Sequence, residues 1–86
     1  MITKPVVLVE WIDSVTHGDG WKRVEDLDLQ PSPCISAGMV IDETEESITV
    51  AGTVDLWSGH YATIGAITIP KVAIIKRHEL GEVQFK

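Results

Sequence analysis

Between two β-branched runs, Ile67-Thr68-Ile69 and Val72-Ala73-Ile74-Ile75, only Pro70 and Lys71 intervene. A two-residue hairpin takes a type I′ or II′ turn with positive φ at its first residue, which Pro70 cannot adopt. Pro70 fixes its own φ near −65° and brings no backbone donor, so the expected solution is a single tight 3₁₀-like turn. Strand, one helical turn, strand is therefore the local frame that the rest of the chain has to fit.

Elsewhere the hydrophobic period is two. Residues 5–12 read as a first strand, with Val7, Val9 and Trp11 on one wholly apolar face and Val6, Leu8 and Ile12 broken by Glu10 on the other. Such a strand is expected to be buried on both sides. Residues 34–42 alternate Ile35, Ala37, Met39 and Ile41 against Cys34, Ser36, Gly38 and Asp42, and mid-strand Gly38 predicts a sharp bend or bulge. Residues 42–47 form a polar turn. Ile48, Val50, Val54 and Leu56 then resume the alternation over a third strand, interrupted by Gly52. A fourth strand is expected at 64–69 and a fifth at 72–80, with a frayed end or a short edge beyond. Between the first two strands, Trp21, Val24 and Leu27 recur at intervals of three, which predicts a short helix over 21–27 capped by Asp19 and ended by Gln30-Pro31-Ser32-Pro33. The sum is an all-β fold: a small, five-stranded, strongly bent barrel with one short helix between strands one and two.

The 86 residues are one domain, since a second core could not be buried at this length. The single cysteine, Cys34, has no partner for a disulfide, and three histidines are too few for a zinc site beside it. With no signal-like start and no apolar run beyond four or five residues, the expected setting is cytoplasmic and no membrane partner is expected. The net charge of −6 is uneven: residues 1–56 carry eleven acids against three cations, and residues 57–86 carry Lys71, Lys76, Arg77 and Lys86 against Glu79 and Glu82. The sign opposes generic nucleic-acid binding, while the C-terminal excess leaves room for a local basic face.

From residue 33 to 80 the chain order of bent strand, hairpin, bent strand, loop, strand, tight turn and strand resembles the Sm-like small barrels. The chain as a whole also resembles small uncharacterised proteins of tailed phages, through Trp11-Ile12-Asp13-Ser14, Asp19-Gly20-Trp21 and Thr68-Ile69-Pro70-Lys71. The first resemblance implies a closed homo-oligomeric ring of five to seven subunits, joined through the fourth and fifth strands. Ile67, Ile69, Val72, Ile74 and Ile75 are then the interface candidates. The second implies a phage accessory role in the host cytoplasm, with another phage or host protein as a further partner. The RNA route of Sm-like proteins does not carry over. Its asparagine-containing turn is here Asp42-Glu43-Thr44-Glu45-Glu46, and its arginine-glycine turn is Pro70-Lys71.

Two readings follow. The first is a ring-forming structural or interaction module. The second is a binder of RNA or a small nucleotide, using Trp57, His60 and Tyr61 as a stacking loop with Lys71, Lys76 and Arg77 as cations. The alternative for that loop is that Trp57 ends one strand in the core and Tyr61 begins the next. No nucleophile–base pair, metal set or cofactor motif is visible, so no enzyme, metal or cofactor is expected. His17 and His60 read as loop histidines, and the 42–46 acids read as a solvated turn without calcium-loop spacing.

Overall fold

A computed structural model describes residues 2–56 and 60–85. Among the described residues seven strands occur in chain order: β1 (Ile2–Asp13), β2 (Ser32–Glu43), β3 (Ser47–Ala51), β4 (Val54–Asp55), β5 (Ala62–Thr63), β6 (Ile67–Pro70) and β7 (Ile74–Phe85). Five of them form one antiparallel sheet in the order β6-β3-β2-β1-β7, and β4 pairs with β5 in a separate ribbon. The tight turn falls where Pro70 requires it. Lys71–Ala73 is a single 3₁₀ turn, with Pro70 at φ −62° as its N-cap and the Ile74 N–H closing onto the Lys71 carbonyl.

The inner face of the sheet holds one core: Val7, Val9 and Trp11 from β1, Val40 from β2, Ile48 and Val50 from β3, and Ile69 from β6, with Cys34, Ile67 and Ile74 packed against it. On β2 the inward positions up to the crease are the small ones. Cys34, Ser36 and Gly38 lie opposite Trp11, Val9 and Val7. A sheet folded this sharply has no space for large side chains in its crease. A Cβ on Gly38 would stand 2.5 Å from the Ala51 carbonyl oxygen. Ser36 accepts a 3.0 Å hydrogen bond from Trp11 Nε1, so the polar pair inside the crease is satisfied. The apolar-richer face of β2, with Ile35, Ala37 and Met39, therefore turns outward beside Val6, Leu8 and Ile12 of β1.

Several expectations are corrected. Among the described residues no barrel closes, because β6 and β7 are the two unpaired edges of an open sheet. The helix over 21–27 is reduced to one 3₁₀ turn, Val24–Asp26, with no buried residue. Seven residues cannot sustain a helix without a surface to pack on, and Trp21 and Val24 find none. The third strand stops at Ala51, and Val54 joins the separate ribbon instead of continuing it. β6 is shorter than expected and β7 longer: the residues after Leu80 run on to Phe85, paired with Ile2–Val6.

The second face of β1 is only half-buried within the subunit, at Val6, Leu8 and Ile12. The molecule is correspondingly open. Its radius of gyration is 16.6 Å, against about 12 Å for a compact domain of this length. Its accessible surface is 6549 Å², roughly 1,500 Å² above the ~5,000 Å² that scaling assigns to a compact monomer of this mass.

Candidate interaction surface

The turn between β2 and β3 is built by Thr44. Its hydroxyl accepts from the N–H groups of Glu46 and Ser47, both at 3.1 Å, and its own N–H donates to the Ser47 carbonyl at 2.9 Å. This places the Glu46 carbonyl against the second turn, where it accepts from the Lys71 N–H at 2.8 Å. The acidic turn and the Pro70-Lys71 turn thus form one surface. It is an open cleft of about 520 Å³ lined by Glu45, Glu46, Ser47, Thr68, Pro70, Lys71 and Val72.

The cations beside this cleft are engaged. Glu43 Oε2 accepts from Lys71 Nζ and from Arg77 Nη1, each at 2.8 Å, while Arg77 Nε donates to Glu79 Oε1 at 2.6 Å. The hydrogen bonds from Lys71 and Arg77, aided by their charges, hold the Glu43 carboxyl below its ordinary value. Arg77 moves up. Desolvation alone would lower it, but its bonds to Glu43 and Glu79 outweigh that. Glu43 ends β2, Lys71 opens the 3₁₀ turn and Arg77 lies on β7. Ion pairs therefore lace the mouth of the rolled sheet where backbone hydrogen bonds do not close it. Chemically, the cleft offers Glu45 and Glu46 against one ammonium that Glu43 already holds, which is an unfavourable surface for a phosphate.

The other residues singled out by sequence are dispersed. Trp57 lies outside the described residues. His60 is exposed, and Tyr61 sits edge-on to Phe85, with ring centroids 5.7 Å apart, at the far end of β7. Phe85 is eight residues along the strand from Arg77, or about 26 Å at the usual strand rise of ~3.3 Å. The stacking loop and the cations therefore do not form one site. Tyr61 instead lines an apolar cleft of about 330 Å³ with Ile2, Lys4, Ile41, Val54 and Phe85. Lys76 is exposed on β7 and, among the described residues, makes no ion pair.

The five interface candidates divide. Ile69 is completely buried in the subunit's own core, and Ile67 and Ile74 pack against that core. Val72 and Ile75 are exposed and available to a neighbour. Three features escaped sequence reasoning. Glu43 was indistinguishable from its acidic neighbours until the fold brought Lys71 and Arg77 to it. The Glu10–His78 contact, 2.6 Å between Oε2 and Nε2, joins residues far apart in the chain. The outward face of β1 was expected to be largely buried, and the exposure of Ile35 beside it on β2 was not foreseen.

Compared with protein families, with curated proteins and with solved structures, the chain matches none. No helix among the described residues is long and apolar enough to cross a membrane. No group of three or more metal-ligating side chains occurs among them.

Proposed function

We propose that the chain is a self-assembling structural or interaction module of the Sm-like, ring-forming kind. The observation that carries this reading is the open sheet, whose two edges, β6 and β7, are adjacent in sequence through the 3₁₀ turn and unpaired in space. Unpaired edges are templates for another chain. β6 is the less guarded of the two, because Ile67-Thr68-Ile69-Pro70 carries no charge while β7 carries Lys76, Arg77, Glu79 and Glu82. Pairing β6 of one copy with the Ile74–Ile75 end of β7 in the next is a head-to-tail contact, which closes as a ring if the rotation closes. A subunit in such a ring has two interfaces. Two standard interfaces of about 800 Å² per side match the excess surface in total, of which the four-residue β6 edge supplies only a part. The loose sequence likeness to small tailed-phage proteins is what attaches a phage accessory role to this reading.

Binding of RNA or a nucleotide is not favoured by any comparable observation, since Lys71 and Arg77 are held by Glu43 and Glu79. Native mass spectrometry tests the proposal. Five to seven copies are expected at micromolar concentration, and Ile75→Glu or Val72→Glu should release folded monomers because both side chains are exposed within the subunit. A 9.4 kDa monomer at every concentration would rule the reading out.

A further inference from the structure

β6 is only four residues long, which is about 13 Å of edge at the usual strand rise. Edge pairing alone leaves most of the excess surface uncovered, and two apolar surfaces elsewhere stand open. One is the outward face of β1 and β2. Leu8 lies beside Ala37 and Ile12 beside Pro33, and Ile35, opposite Glu10, is 69% exposed. The other is the segment 14–31, which leaves the sheet at Asp13 and returns at Ser32, the last pair of the β1–β2 ladder. Its apolar side chains Val15, Trp21, Val24 and Leu29 are all exposed, Trp21 completely.

We infer that residues 14–31 are an arm that lies across the outward β1–β2 face of a second copy of this chain. The inference builds on self-association but places a second contact, away from the β6 and β7 edges. The excess area calls for a broader contact than the short β6 edge, and arm and face each leave large apolar side chains exposed, Trp21 and Val24 on one and Ile35 on the other. Their charges also match. The arm carries Asp19, Glu25, Asp26 and Asp28 against Lys22 and Arg23. Lys76, on the outer side of β7, lies opposite Glu10 in register, but the Glu10 carboxylate is held by His78. Lys76 is thus available to an incoming acidic segment. The arm is tethered at the end of the hairpin, and its half-length of nine residues reaches about 30 Å when extended, enough to span a neighbour's sheet.

The test uses full-length protein in a Cys34→Ser background. Chains carrying Val24→Cys alone are co-expressed with chains carrying Ile35→Cys alone and oxidised. A disulfide-linked heterodimer is expected. The same two substitutions placed in one chain should link between chains rather than within one, and a purely intrachain link would overturn the inference. Sedimentation gives the second readout. Ile35→Asp, or Trp21→Ser with Val24→Ser and Leu29→Ser, should weaken self-association at least tenfold while leaving the far-ultraviolet spectrum unchanged, because none of these side chains is buried in the subunit. Undiminished association of these variants refutes the arm. If Ile75→Glu dissociates the same protein, edge pairing stands without it. If only the arm and face variants dissociate it, the arm stands and edge pairing falls.

Discussion

Gly38 is the position at which the architecture is most exposed to refutation. β2 is a single twelve-residue strand that pairs with β1 over Ser32–Met39 and with β3 over Met39–Glu43, so Gly38 lies where the end of β3 meets it. An alanine Cβ at 38 would meet the Ala51 carbonyl oxygen at 2.5 Å, its carbon at 2.8 Å and Val50 Cγ1 at 3.0 Å. The first two are backbone atoms and cannot rotate away. Ordinary contact begins at 3.4 Å, so β3 would have to retreat by about 0.9 Å, opening the packing of Val50 and Ile48 above it. Overpacking of this kind costs ~1–3 kcal/mol. The lost freedom of the unfolded chain returns roughly 0.4–1 kcal/mol. The expected net loss for Gly38→Ala is therefore ~1–2 kcal/mol, or a melting temperature lower by about 5–15 °C in a domain of this size. Gly52→Ala is the matched control. Nothing lies within 4 Å of its would-be Cβ, and its φ is not in the left-handed region, so it should be neutral or slightly stabilising. The measurement is thermal and urea unfolding by circular dichroism at one fixed protein concentration, since assembly would otherwise shift both values. A Gly38→Ala protein as stable as wild type would mean that the Ala51 end of β3 does not lie this close to Gly38, and the crease would be wrong.

Glu43→Gln should cost about 0.5–1 kcal/mol, as expected for partly exposed pairs, and the loss should shrink in high salt. Because the folded carboxyl titrates below its unfolded value of about 4.3, the unfolded state binds more protons between the two values. The pair's contribution is full above the unfolded value and is lost as pH falls through the folded one. Urea midpoints measured from pH 3 to 6 should show the difference between wild type and Glu43→Gln vanishing on the acid side, and a difference that grows there would contradict the ion-pair geometry. Ser36→Ala leaves the Trp11 indole N–H without its acceptor in the core, for a loss of about 1–3 kcal/mol in the same unfolding assay. The protein should not bind a labelled uridine-rich strand measurably even at low salt, since the Lys71 ammonium is already paired with Glu43; tight binding in fluorescence anisotropy that Lys71→Glu abolishes would restore a nucleic-acid reading.

The alternating strands and the 3₁₀ turn after Pro70 were legible because each follows from local chemistry, whereas the irregularity expected at Gly38 falls between Val40 and Asp42, and Gly38 itself marks the close approach of Ala51. The helix over 21–27 was not legible, since a spacing of three marks a face only if something packs against it. The expectation that β1 is largely buried on both faces holds for one face and only by half for the other, for a related reason. Val6, Leu8 and Ile12 are as apolar as a core requires, but sequence does not say whether the cover comes from the same chain. The ion cluster was beyond reach altogether. Nothing local separates Glu43 from Glu45 and Glu46, and only the folding back of β2 brings it to Lys71 and Arg77.

That cluster also decides how the C-terminal basic excess should be read. Taken along the sequence, Lys71, Lys76 and Arg77 look like a patch waiting for an anion. In space, Glu43 bridges two of them and Glu79 takes a second donor of Arg77. A patch built for phosphate would keep its donors free and its acids distant, whereas here the acids sit inside the patch. Such an arrangement serves to hold the rolled sheet at its open mouth, fixing β6 and β7 relative to one another without pairing them. Both edges are thereby held in place and left unoccupied, which is the geometry a subunit needs if its sheet is to be continued by its neighbours.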